Sequence, residues 1–311
     1  MCIRDRVLGL ILGTAAIMGA YGLLQYFKLD PFLKTEGMVG HFRVCSTTNH
    51  PNIFISVLVA CVPLNLAGFV FFGGRPRARL LLGLTLLLSL GAAVATLSRA
   101  GLGALALAVV VTLVGLWRAG KVRSGEATAQ ESGRGATWAK IVIPVAVLLG
   151  ALIAVGVGQG TMDPGERERL LSLRGPTTQK RLLIYEAALQ MASEAPLTGK
   201  GLGTFSLFLP AHRSAELARF FPRNEYHVEH GVSEPLEVLA ESGALGLLGW
   251  ILLVGVFVIR PLRAMRGVED PGLRALMVAS AAGVLGLAVH SLVEVSLRFQ
   301  PPLFLFWALP G

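Results

Sequence analysis

Charge is what this sequence has least of. Only 15% of its 311 residues are Asp, Glu, Lys or Arg, where a soluble domain carries roughly 25%. That shortage excludes a disordered chain and argues against a single soluble domain. Cysteine is scarce too. Cys2, Cys45 and Cys61 form no CxxC and do not cluster, so neither a disulfide scaffold nor a cysteine-ligated metal site is expected. Apolar residues, by contrast, make up 53% of the chain and mean hydropathy is +0.64. The class left standing is an all-α polytopic membrane protein.

Crossing a hydrocarbon core of ~30 Å takes about 20 apolar residues. Residues 7–27, 53–72, 78–97, 102–117, 141–157, 244–259 and 275–295 come close enough to that length, and a further run starts at Pro302 and stops at Gly311. Lipid offers no hydrogen bonds to the backbone, so these segments must be helices, and the alternating pattern of a membrane barrel is absent. The expectation is about eight transmembrane helices, the last one truncated, in three parts: helices one to five in 1–157, a long helical loop in 158–243 acting as a lid, and helices six to eight in 244–311. A polar stub at 1–6 and the final run ending mid-span predict that the chain is a fragment. Residues 7–27 are too long for a cleaved signal peptide.

Short basic loops set the orientation. Arg75, Arg77 and Arg79 follow the second span; Arg118, Lys121, Arg123, Arg134 and Lys140 follow the fourth; Arg260, Arg263, Arg266 and Arg274 follow the sixth. All fall on one side if the N-terminus is cytoplasmic. That side then holds 14 basic and 5 acidic residues, and the other holds 14 of each. The net charge of +9 is therefore entirely cytoplasmic. Nucleic acid has nothing left to explain and is not expected as a partner.

The outer segment 158–243 is much longer than a connector needs to be, and long loops of this kind carry function. Residues 177–195 read as a helix, capped by Thr177 or Thr178 and stopped by Pro196. The glycine-rich stretch 196–205 fits neither GxGxxG nor GxxxxGK[ST] and no strand precedes it, so it reads as a tight turn where backbone meets backbone. A second helix starts with Ser233 as cap and Pro235 in its first turn, and breaks near Gly243. Its stripe of Glu234, Glu237 and Glu241 reads either as a solvated face or as a carboxylate wall above the outer leaflet.

Few ionisable groups stand near the apolar spans. Arg99 lies in the short turn between the third and fourth, where it must snorkel or bind an anion. His290 and Glu294, four residues apart near the outer end of the seventh span, form an intramembrane pair with Arg298 just beyond. All six histidines fall on the outer side or at its edge. His227 and His230 lack partners at metal-ligand spacing, so no metal is expected; they read as a general base, a hydrogen-bond donor or plain surface histidines.

Four segments, in order, resemble the O-antigen ligase/polymerase family of bacterial membrane enzymes. They are Gly40-His41-Phe42 through Thr48-Asn49-His50-Pro51-Asn52; Thr96-Leu97-Ser98-Arg99-Ala100-Gly101; Arg181 with Tyr185 through Leu189 and the 196–205 turn; and Glu234-Pro235-Leu236-Glu237 through Gly243 to Gly246. The resemblance implies a glycosyltransferase of lipopolysaccharide biosynthesis in the bacterial inner membrane, with the long loop periplasmic. It would move a glycan from an undecaprenyl-pyrophosphate carrier to a lipid A core or another glycan, without a cofactor. Arg99 would bind the pyrophosphate, with Arg43 and Arg181 as further candidates. His230 or Glu234 would deprotonate the acceptor, with His227, Glu241, His290 and Glu294 in support. The family's histidine register falls on Val232, with Ser233 as its polar neighbour, so His230 stands two residues early. The alternatives are a chain-elongating polymerase, a carrier of organic anions, or a structural subunit. Spans nearly free of charge argue against an ion pathway.

Overall fold

The computed structural model describes residues 3–30, 43–71, 76–124, 175–220 and 230–310. Among the described residues the chain is helical, without strands. The helices are α1 (Ile3–Tyr26), α2 (Pro51–Phe71), α3 (Pro76–Ala95), α4 (Arg99–Ser124), α5 (Pro176–Glu194), α6 (Phe205–His212), α7 (Ala215–Phe220), α8 (Glu234–Ala264), α9 (Pro271–Ser291) and α10 (Gln300–Ala308). Six of them, α1 to α4, α8 and α9, are long and apolar enough to cross a membrane. The expected span at 141–157 and His227 lie outside the described residues. The run from Pro302 forms α10, only nine residues long.

Burial follows position in the bundle and not hydropathy. α2 has the highest hydropathy of the six and is 89% buried, with α3, α4 and α9 packed around it. α8 is the reverse, 6% buried; Leu245, Leu248, Ile251, Leu252, Val256 and Ile259 face outward from it. An apolar face of that kind suits acyl chains and would be intolerable in water. A second, smaller core sits apart from the bundle, where Ile184, Ala188 and Met191 of α5 meet Phe205, Leu209, Leu217 and Ala240. The described part of the long segment between α4 and the break in α8 thus folds around its own apolar centre.

Three expectations change in detail. α5 begins at Pro176 with its cap position on Gly175, not on Thr177 or Thr178. Ser233 does occupy the cap position of α8, but its hydroxyl makes no capping bond. α9 ends at Ser291, because the chain leaves the helix there for the short 3-10 turn Ser296–Arg298. Glu294 therefore does not share a helix face with His290.

The glycine-rich stretch is the tight turn expected, and its partner is the break in α8. Gly243 has φ 65 and ψ −165, a conformation open essentially to glycine alone. Carbonyls freed at the break, those of Ala240 and Glu241, accept from the N–H groups of Lys200 and Gly201 at 3.0 and 2.8 Å. The freed N–H groups of Ala244 and Leu245 donate to the carbonyls of Pro196 and Leu197 at 2.8 and 3.3 Å. Backbone groups freed at the break are thus satisfied by the turn, as burial away from water requires.

Candidate active site

The segments expected on the outer side meet at one end of the bundle. The first of them is folded back by Ser46, which adopts φ 50. Gln25, fully buried on α1, clamps it: its amide donates to the Ser46 carbonyl at 3.2 Å and its carbonyl accepts from the Ser46 N–H at 2.8 Å. The fold-back brings Arg43 against the end of α3. There its Nε donates to the Thr96 carbonyl at 2.9 Å and a terminal nitrogen donates to Asn52 Oδ1 at 3.1 Å. The next residue after Thr96, Leu97, has φ 51, an uncommon backbone for a bulky side chain and one that concentrates at functional sites.

Asn52 links two charged groups. Its Oδ1 takes Arg43 while its Nδ2 donates to Glu294 Oε2. The same oxygen pairs with Arg181 of α5 at 3.2 Å, and Arg181 also donates to the Val293 carbonyl. Two arginines from distant segments thus meet around one carboxylate, itself 9% exposed. Beneath them His290 Nδ1 lies 2.9 Å from Ser56 Oγ and 3.1 Å from Ser296 Oγ, and those hydroxyls are 2.7 Å apart. His290 is buried and anchors the segment after α9, so it pairs with the serines and not with Glu294.

The carboxylates of α8 form a second cluster alongside. They are neither a solvated face nor an exposed wall, because Glu234, Glu237 and Glu241 are 4%, 1% and 1% exposed. All three converge on Arg298, at 3.2, 3.4 and 2.8 Å. The helix supplies the stripe and the turn Ser296–Arg298 supplies the cation, which is why a stripe that looks like surface is interior. Glu237 Oε1 also lies 3.2 Å from His230 Nδ1, and Glu241 Oε1 accepts from the Phe205 N–H at 3.0 Å. The His230 side chain keeps 33% of its surface exposed, with its ring edge-on to Phe299 at 5.7 Å. Val232, in the family's histidine register, packs instead against the small core of the outer segment. Among the described residues no group of three or more His, Cys, Asp or Glu is placed to hold a metal ion.

A family model described as O-antigen ligase matches residues 84–251, more than half of the chain. The chain belongs to the O-antigen ligase family. No curated protein matches it. Membership makes it a multi-pass membrane enzyme of glycan transfer, of the ligase or polymerase kind. The part matched to the O-antigen ligase family includes Arg99, Arg181 and the His230–Glu241 segment; Arg43, Asn52, Glu294 and Arg298 come from outside it and complete the two clusters.

Electrostatics distinguish the clusters. Burial lowers the pKa of Arg43, opposed by the Glu294 charge and assisted by that of Arg181. At His50, on the rim, desolvation by the surrounding protein lowers the pKa most; Glu294 opposes it, and Arg43 and Arg181 add to the lowering. His50 thus belongs to the same field and stays neutral at physiological pH. Arg298 goes the other way. Burial alone would lower its pKa, but Glu237, Glu241 and Glu234 together hold it above the ordinary value. An arginine so fully matched is a poor receptor for another anion, whereas the Arg43–Arg181 side keeps an excess of positive charge. Arg99 opens α4 with an exposed side chain, three residues beyond the carbonyl that holds Arg43. The tertiary structure adds Asn52, Glu237 and Arg298 to the two clusters; the i, i+3, i+7 glutamate stripe pointed to Glu237, while Asn52 stood in the first family-like segment and Arg298 just beyond the His290–Glu294 pair.

Proposed function

We propose that the chain transfers a glycan from an undecaprenyl-pyrophosphate carrier to an acceptor hydroxyl at the periplasmic face of the inner membrane, as a ligase acting on a lipid A core. The observation that carries this reading is the juxtaposition of a cationic cluster, Arg43 and Arg181 around Glu294, with an accessible histidine backed by a buried carboxylate, His230 on Glu237. The guanidiniums of Arg43 and Arg181, with Arg99 at the rim, bind the pyrophosphate and stabilise charge on it as it leaves. Glu237 accepts a hydrogen bond from the Nδ1–H of neutral His230 and so leaves Nε2 free as a base. The acceptor oxygen bonds to the anomeric carbon, its proton passes to Nε2, and the bond from that carbon to the carrier phosphate breaks with its electron pair on the pyrophosphate. Glu234 is too deeply buried to meet an acceptor; in this reading it and Glu241 hold Arg298.

The test is transfer in proteoliposomes containing the purified protein and a carrier-linked glycan donor, with and without lipid A core. Glycosylated core appearing only when core is supplied is the expected result. Longer carrier-linked chains from donor alone would make the enzyme a polymerase, and no product in either arm would remove the reading. Arg43→Ala, Arg99→Ala and Arg181→Ala should each lose transfer while the protein still inserts.

A further inference from the structure

The two guanidiniums of the cationic cluster are not equivalent. The bonds of Arg43 described here go to neutral groups, the Thr96 carbonyl and the Asn52 amide oxygen. Arg181 is paired with a full negative charge, that of Glu294 at 3.2 Å. A carboxylate facing a guanidinium sits where a phosphate would, since both present oxygen pairs of similar geometry to the same N–H fork. The site thus contains an anion of its own.

Resting on the function proposed above, we infer that Glu294 is an internal anion that competes with pyrophosphate for Arg181 and sets how readily the spent carrier leaves. The chemistry of the reaction gives such a group a purpose. In the donor the pyrophosphate is esterified at both ends. Once the glycan has left, one end is free and carries a further ionisable oxygen, so the product is the stronger anion. A pocket of guanidiniums alone would hold its product more tightly than its substrate. A fixed carboxylate weakens that preference, because its repulsion grows with the charge of the ligand, and burial limits screening by salt. Asn52 completes the device. Its Nδ2 donates to the Glu294 oxygen that Arg181 also holds, so the carboxylate keeps a hydrogen bond when the guanidinium turns to phosphate, and avoids the cost of a stranded buried charge.

The experiment titrates the full-length protein in nanodiscs with inorganic pyrophosphate, comparing wild type with Glu294→Gln, Glu294→Ala and Arg181→Ala, and measures turnover alongside. The carboxylate-free variants should bind pyrophosphate about tenfold more tightly, and should lower donor KM and kcat together as release slows. Tightening in either folded variant supports competition. Weaker or unchanged binding in both would overturn it and leave Glu294 a scaffold for Arg181. Arg181→Ala separates the two levels: if it fails to weaken pyrophosphate binding, the anion site itself is misplaced, whatever Glu294 does.

Discussion

Arg181 and Arg298 are chemically identical but sit in opposite electrostatic surroundings. Arg298 faces three carboxylates and is neutralised by them; Arg181 shares one carboxylate, directly or through Asn52, with Arg43. Net charge within a few ångströms, not residue type, decides which can receive a phosphate. The same reasoning separates the two acid–base candidates. His230 combines access with a buried carboxylate partner, whereas Glu234 is buried and one of its oxygens is held by Arg298. His230→Ala should lower kcat by about 10²-fold or more, the usual contribution of a general base, with donor binding unchanged. Glu237→Gln should give a smaller loss. Because Glu237 acts through His230, it should also shift the pH dependence of kcat, which a purely structural role would leave alone. Steady-state kinetics across pH on both variants checks this, and normal turnover in His230→Ala would move the base elsewhere.

Among the elements, α8 is the one on which everything turns. One arm carries the buried carboxylates and the other presents an exposed apolar face, and Gly243 lets one helix do both. A Cβ there would come within 2.3 Å of the Leu197 backbone, and one on Gly199 within 2.2 Å of the Glu241 backbone. The two glycines are thus halves of one interlock. Gly243→Ala should destabilise the protein by about 1–3 kcal/mol from backbone strain alone, and by more once the contact is counted. Thermal unfolding in detergent measures it; a transition unchanged from wild type would mean that the turn and the break are not coupled. The 196–205 sequence predicted a close backbone approach but could not say to what, since its partner lies some forty positions along the chain. Similarly, the periodicity of Glu234, Glu237 and Glu241 was legible while their burial was not, because Arg298 reaches them from a segment that no local pattern connects.

For the molecule as a whole, the decisive feature is that the described parts of the segments assigned to the outer side gather at one end of the bundle. That arrangement predicts its accessibility in cells. In a background lacking Cys2, Cys45 and Cys61, Leu202→Cys, 83% exposed on the glycine-rich turn, should react with a membrane-impermeant maleimide added from outside. Glu269→Cys, exposed between α8 and α9, should react only after permeabilisation. The opposite pattern would invert the topology and put the site on the wrong face for a lipid-linked donor.

Hydropathy runs and basic loops, read along the chain, determined the helical membrane class, the positions of α1 to α4, α8 and α9, and the break at Gly243. These are legible because the bilayer acts on each segment separately: a span is apolar over its own length, and a helix satisfies its own backbone. Which charges meet was decided only in three dimensions. Arg43 and Asn52, Arg181, and Glu294 come from three separate segments, and Arg298 finds its carboxylates about sixty residues away. Long-range pairing depends on how helices pack and where loops turn back. Those are properties of the whole energy balance and leave no spacing in the sequence.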